Sequence, residues 1–509
     1  MFLLAFGVSL CAGLFIQWVL LPHILPGLNA GHGLLRGGDW IGFHEDASAM
    51  AQKIAQQGWS AFELRPRGQA PIGVTAAIYA LTGIHEPWIL VPFQSAMFAV
   101  AVAGLFNIFR SIASVRVSLM ASGPLILFPS TAFLYAQIHK DVWALAGTLW
   151  IVFVALSYAR RRAWSVRQHM ALFAINFAGV AFVWLVRAYA LQIVLLGLVS
   201  AIGCLVLWKL ISPIFRERDE TSPGWAGMIV CMLLVLAGSI DVPARLAGYV
   251  SPQIAQAIKP PNVVEGDRPV FEPILVPPDV VATLRSDQRA LYDGRHYEEL
   301  IKTFSPDQSS SWQKYQSNVR DIVKSLTPAS DVAPAWVPAP IRERLSVLIN
   351  LRRGEVLSAL SAGSAIDNDV QMHDVGDMIR YIPRALQITL FAPFPDSWFR
   401  HGVSPGASIM LRVAAVEMTV AYIAFFGFVP LLLLSSKADK MRILFLCGFA
   451  LSILCLLGIT IPNVGTLLRM RYGYWYLMVG LGVVGWSLAI DCWCRRTAGK
   501  VEPSPAAMA

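Results

Sequence analysis

The residues able to do chemistry in this 509-residue chain gather in four short stretches. The first is GGDWIGFHEDASAMAQ at 37–52, directly after an apolar run, with Asp39, His44, Glu45 and Asp46. Asp39 follows Gly37 and Gly38, which let the chain turn sharply. A carboxylate held at a water–lipid boundary is partly desolvated, which raises its pKa and suits it to general-base work. The same Asp39 could instead cap the helix that follows. The second stretch, QIHKDVW at 137–143, sets His139, Lys140 and Asp141 between two apolar runs. Asp141 there either lies at the mouth of a helix bundle beside Asp39 or caps the next span, where the helix dipole favours an acid. The third is Arg187, between FVWLV and AYALQIVL. A charge at that depth is costly unless it is paired, binds an anion or snorkels to the interface. The fourth, VGTLLRMRYGYWYLM at 464–478, puts Arg469 and Arg471 just before the last apolar run, and guanidinium forks suit phosphate.

The elements that must position these residues belong to a membrane protein. The chain is 56% apolar and 14% charged, against about a quarter charged in a soluble domain. The net charge of +9 does not point to nucleic acid, because the basic residues cluster between apolar runs as the positive-inside rule requires. All seven cysteines lie in or at the ends of apolar runs, so neither a disulfide framework nor a cysteine metal site is expected. There is no Asn-x-Ser/Thr sequon. The first run lacks a positive n-region and holds about 20 apolar residues, which favours a retained span over a cleaved signal.

About ten spans are predicted, at 2–22, 86–109, 114–135, 142–160, 168–186, 189–211, 224–241, 407–435, 443–461 and 473–492. With the N-terminus inside, five basic groups fall on the cytoplasmic face: Arg110 with Arg116, ARRRAWSVR (159–167), FRERDE (215–220), SKADKMR (436–442) and CRRTAGK (494–500). The outer face then receives 23–85, the 136–141 turn, Arg187, the segment 242–406 and the stretch before the last span. Three parts follow: an N-terminal membrane module (1–241) with its first outer loop (23–85), an outer segment (242–406), and a C-terminal membrane module (407–509). In the loop, HEDASAMAQKIAQQGW (44–59) has helical spacing, with Ala47, Met50, Ala51 and Ile54 on one stripe suited to an interface. PIGVTAAIYALTG (71–83) predicts a second interfacial or half-inserted helix, too short to span. The outer segment starts proline-rich at 250–278 and continues with helical patterns near 281–304, 311–326 and 339–361. It ends in an amphipathic stretch at 375–398 expected to lie on the membrane. The fold class is therefore all-α and polytopic, with interfacial helices and a mostly helical outer segment.

These stretches resemble the C-type (GT-C) glycosyltransferases, in particular the bacterial polytopic family related to protein O-mannosyltransferases and lipid A aminoarabinose transferases. DWIGFHEDA is similar to that family's first outer loop through Asp39, Phe43, His44 and Ala47. The His139-Lys140-Asp141 turn resembles its second outer loop, and GTLLRMRYGYWYLM its late arginine-bearing stretch. IPRALQITLFAPFP also looks like a segment of such proteins. Many members carry an acid pair where this chain has Asp39 followed by Trp40. The resemblance covers most of 1–190 and the last hundred residues. It implies a polyprenyl-phosphate sugar as donor, an inverting transfer, and a base at Asp39.

The expected function is a multi-pass inner-membrane glycosyltransferase working on the outer, periplasmic side. Asp39 serves as base, and His44, His139, Lys140 and Asp141 position donor or acceptor. Arg187, Arg469 and Arg471 bind the lipid phosphate. The acceptor would be a glycan, a lipid or a protein. Any ion held at Asp141 with His139 would be a hard divalent cation, Mg²⁺ or Mn²⁺. The alternative enzyme is a polysaccharide polymerase or ligase acting on lipid-linked glycans. A transporter or flippase is disfavoured because the chain shows no repeated halves and its ionisable residues avoid the midplane.

Overall fold

The computed structural model describes residues 1–36, 38–160, 164–211, 224–240, 280, 283–293, 297–324, 331–359, 365–399 and 405–498. Gly37, the FRERDE run and the proline-rich 250–278 lie outside the described residues. Within them the chain is helical, without strands and with two isolated bridges, Asn29 to Leu35 and Ala365 to Asn463.

The first helices are α1 (Phe2–Phe15), prolonged by a π-helical Ile16–Ile24, α2 (Trp40–Gln57), α3 (Ala70–Thr82), α4 (Val91–Arg110) and α5 (Val115–Leu127). Then come α6 (Ala132–Ala136), α7 (Asp141–Arg160), α8 (Val166–Arg187), α9 (Ala190–Ile211) and α10 (Trp225–Ser239). The segment that follows supplies α11 (Ser286–Asp293), α12 (Tyr297–Lys302), α13 (Pro306–Lys324), α14 (Ala339–Ala359) and α15 (Val375–Phe391). The chain ends in α16 (Pro405–Phe426), α17 (Phe428–Leu434), α18 (Lys437–Thr460) and α19 (Val464–Ala498).

Eight helices among the described residues are long and apolar enough to cross a membrane. A helix satisfies its own backbone bonds where no water can, so runs of this length belong in a bilayer. The chain is a multi-pass membrane protein. Eight of the ten predicted spans correspond to these helices, and two take another form. The run at 114–135 is a pair of helical pieces, Val115–Leu127 and Pro129–Ala136, bent by 63°. Phe128 is extended at the break, as a residue before proline tends to be. The run at 224–241 gives only the 15-residue α10. At 1.5 Å per residue that is roughly 22 Å, short of the ~30 Å hydrocarbon core.

The chain divides into two compact units: Met1–Asn262 with Val416–Ile453 and Tyr472–Ala509, and Val263–Ala415 with Leu454–Arg471. In the first, α7 packs on both α4 and α8. Gly147 of α7 and Gly179 of α8 meet backbone to backbone, so neither position has room for a side chain. α10 rests on α7 at Tyr158, whose ring lies where a Gly227 side chain would be and whose carbonyl accepts from the Gly224 amide at 2.8 Å. Basic residues close the same ends of these helices: Arg110, Arg160, Lys209, Arg495 and Arg496 all stand in last turns. From the first turns of α18, Arg442 reaches the α4–α5 turn, donating to the Ser111 carbonyl at 2.7 Å.

The apolar stripe of α2 does not meet lipid as an interfacial helix would. Ala47 and Ala51 pack on Ile72, Ala76 and Tyr79 of α3. The two short helices of the first loop therefore bury one another.

In the second unit, α14 and α15 are tied to the turn between α18 and α19. Arg352 donates to the Ile459 carbonyl at 2.9 Å and to the Asp367 carbonyl at 3.1 Å. The Ile366 amide bonds the Pro462 carbonyl at 2.9 Å. Ala385 of α15 presses its backbone against Gly458. The apolar stripe of α15 (Met378, Tyr381, Ala385, Ile388) is thus buried by protein, not laid on the membrane as expected.

Candidate functional site

The helix ends opposite the basic residues hold the sequence-predicted groups of the first unit. Asp141 opens α7 and Arg187 closes α8, and the two form an ion pair. Their side chains are 7% and 13% exposed, and that of His139 is 6%. Nδ1 of His139 lies 3.1 Å from Asp141 Oδ2 and 3.2 Å from the Asp141 backbone nitrogen. The costly charge at membrane depth is therefore matched by an acid. Arg187 keeps one donor in reserve, because its buried Nε–H has no hydrogen-bond partner.

Two residues that were not singled out fix this turn. Gln94 of α4 donates to the His139 carbonyl at 3.0 Å and accepts from the Trp143 indole at 2.9 Å. Gln17, in the π-helical end of α1, donates to the Ala136 carbonyl. Each is a lone amide inside an apolar run, and that was the signal available in the sequence. Arg65 was not singled out either. It is buried, stacks its guanidinium 4.7 Å from the centre of the Trp184 ring, and donates to the Trp184 carbonyl at 2.8 Å. The backbone of α8 one turn before Arg187 is held in this way.

Asp39 stands at the N-cap position of α2 and makes no side-chain capping bond. It is exposed on the protein surface. Its neighbour Trp40 turns inward, and the Trp40 and His139 rings lie 5.8 Å apart. Lys140 donates to the Gln69 side chain at 3.0 Å and sits 5.8 Å over the Phe43 ring of α2. The first turns of α2 thus meet the His139–Asp141 turn, and Asp39, His139, Lys140, Asp141 and Arg187 share one region.

His44 does not join them. It lies on the buried stripe of α2, its Nδ1 3.0 Å from the Tyr79 hydroxyl. Burial lowers its pKa, and nearby His32 lowers it further. Burial also raises the pKa of Tyr79, so the phenol stays protonated. Glu45 is exposed and Asp46 half-buried one turn into α2. Arg469 and Arg471 belong to the second unit. Arg469 is half-buried in the second turn of α19. Arg471 is 1% exposed and donates to the Thr389 carbonyl at 2.6 Å, at the C-terminal end of α15. That end carries partial negative charge and unpaired carbonyls, so Arg471 caps a helix there.

Near the Asp141–Arg187 pair, His139 and Val186 help to line a small apolar cleft. Leu90, Phe93, Ile138, Trp143, Leu185 and Val186 line it, with Gln94 and His139 as polar wall groups. Among the described residues no three His, Cys, Asp or Glu side chains are placed to hold a metal. Asp141 itself does not fit a Mg²⁺ or Mn²⁺ site, since its carboxylate already faces a guanidinium that would repel the ion.

No family model, curated protein or solved structure matches this chain.

Proposed function

We propose that this protein is a membrane glycosyltransferase that moves a sugar from a polyprenyl-phosphate donor to a hydroxyl acceptor, as the likeness of its loops to GT-C enzymes implies. The observation that carries the reading is the nearly buried Arg187, paired with Asp141 and with its Nε–H unpartnered, next in the chain to Val186 on the wall of an apolar cleft. A buried donor without an acceptor calls for a ligand. A lipid phosphate supplies both an anion for that donor and a chain for the cleft.

In this reading the isoprenoid lies along Leu90, Phe93, Ile138 and Trp143. Arg187 takes the departing phosphate oxygen, held in place by Asp141, with Lys140 as a second cation. The acceptor oxygen forms its bond to the anomeric carbon as the bond to phosphate breaks, giving inversion. Its proton passes to Asp39, which is open to water at the head of α2. The basic helix ends face the cytoplasm by the positive-inside rule, which puts the site on the outer side of an inner membrane.

The test is transfer from a radiolabelled polyprenyl-phosphate sugar in membranes carrying the full chain. Asp39→Asn is expected to lose transfer while keeping expression and folding. Transfer near wild type in that variant removes Asp39 as the base. Arg187→Gln is expected to weaken apparent donor affinity, and an unchanged value counts against the phosphate role.

A further inference from the structure

The outer end of the α2–α3 pair holds three imidazoles and one carboxylate that the proposed transfer does not use. The His32 and His44 rings are 5.0 Å apart, centre to centre. His85 stacks on Tyr79 at 5.4 Å, and Tyr79 in turn meets His44. Nδ1 of His32 lies 3.0 Å from Glu86 Oε2. His44 is enclosed by these neighbours and by the α2–α3 contact, whereas His32 is open to water, its side chain 53% exposed.

The charged and titratable groups on the elements around His44 follow from the sequence. The 29–36 loop brings His32 and Arg36, α3 brings Tyr79, and the 83–90 connection brings His85 and Glu86. On α2 itself stand Glu45, Asp46 and Lys53, with Asp39 at its cap; the next turn brings His139 and Lys140. Among these carboxylates Glu86 is the one whose charge acts on His44, and it is already paired with His32. One added proton can be compensated there. A second, on buried His44, cannot.

We propose that this cluster is an acid-sensitive latch: protonation of His44 loosens α2 from α3 and so releases the helix that carries Asp39 at its head. This is regulation of the site assigned above and rests on that reading only for its effect on transfer. The sign follows from linkage. The folded pKa of His44 lies below the ordinary value, so the packed state is whole above about pH 6.5 and weakens as pH falls through that value toward the folded pKa. Each unit of acidification in that window favours release by up to tenfold, the limit for one proton. Imidazole is the side chain that titrates there.

Hydrogen exchange of the full-length protein in lipid nanodiscs at pH 7.5 and 5.5, corrected for intrinsic rates, reads the latch without any substrate. Amides of 47–57 are expected to lose up to about tenfold of their protection at the lower pH, while those of 145–158 in α7 keep theirs. In His44→Gln, which retains a hydrogen-bonding group for Tyr79, the pH effect should vanish. His32→Gln, at an exposed position, should shrink it by removing the imidazole 5.0 Å from His44, and it serves if the His44 variant does not fold. Equal protection of α2 at both pH values in wild type overturns the latch, as does an undiminished pH effect in both variants. Because the readout is structural, a negative result here leaves the transferase reading standing, and inactivity of Asp39→Asn leaves the latch standing.

Discussion

Asp141, at the start of α7, and Arg187, at the end of α8, form a pair with both side chains nearly buried. Two charges out of water are tolerable together and costly apart. Asp141→Asn or Arg187→Gln alone should destabilise the protein by about 3–5 kcal/mol, the usual loss when one partner of a buried pair is removed. The double variant should recover much of this. Thermal unfolding of the four proteins in one detergent gives the cycle, and simple additivity of the two losses would show that the pair is not coupled.

A few residues along from that pair, α7 and α8 touch at Gly147 and Gly179, where any side chain would strike the facing backbone. Gly147→Ala should cost about 1–3 kcal/mol, as overpacking does. Gly227→Ala meets the Tyr158 ring, a side chain and not backbone, and should cost less. A melting series on the two variants separates backbone contact from side-chain contact.

Arg471 gives a third outcome, because its guanidinium ends on the Thr389 carbonyl in a place closed to water. Arg471→Ala should lower stability by about 1.5–3 kcal/mol, the range for a hydrogen bond to a charged group. Arg471→Lys should restore part of this and not all, since an ammonium keeps the charge and loses the planar fork. If Arg471→Ala melts like wild type, the capping role fails.

The membrane helices were legible because apolar length is a one-dimensional signal. Eight runs needed only counting. The run at 114–135 failed because hydropathy does not sense that Phe128 is extended before Pro129. The stripe on α2 was visible at Ala47, Ala51 and Ile54, but periodicity does not tell lipid from a second helix, and α3 is what covers it. Arg187 could be recognised as a charge needing compensation. Its partner could not be chosen between a phosphate and Asp141 without the fold, since Asp141 read equally well as a helix cap. Arg471 stood out against the positive-inside bias, yet its acceptors lie far upstream in α15, beyond any local pattern. The shared region of Asp39 and the His139–Asp141 turn was inferred from common sidedness, and the Trp40–His139 contact now gives it a physical basis.

The second unit offers a pH dependence of the same sign as that at His44, in the lower range where carboxylates titrate. Both oxygens of Asp367 accept from Arg384, through Nε and Nη2 at 2.8 Å each, and the Tyr381 hydroxyl adds a third bond at 2.8 Å. The Arg384 hydrogen bonds hold the Asp367 carboxyl below the usual carboxylate range, and the Tyr381 bond adds to this. A depressed carboxylate contributes stability that is present above its unfolded value, about 3.9, and lost as pH falls through the folded value. Asp367→Asn should therefore be less stable than wild type at pH 6, and the gap should narrow below about pH 4, once the wild-type acid protonates. Asparagine is the right substitute because Asp367 has a φ of +50°, which Asn tolerates and Ala resists. Melting temperatures of the two proteins between pH 3 and pH 6 test this. A gap that stays constant across that range would mean that the Asp367 charge contributes nothing and that only its shape matters.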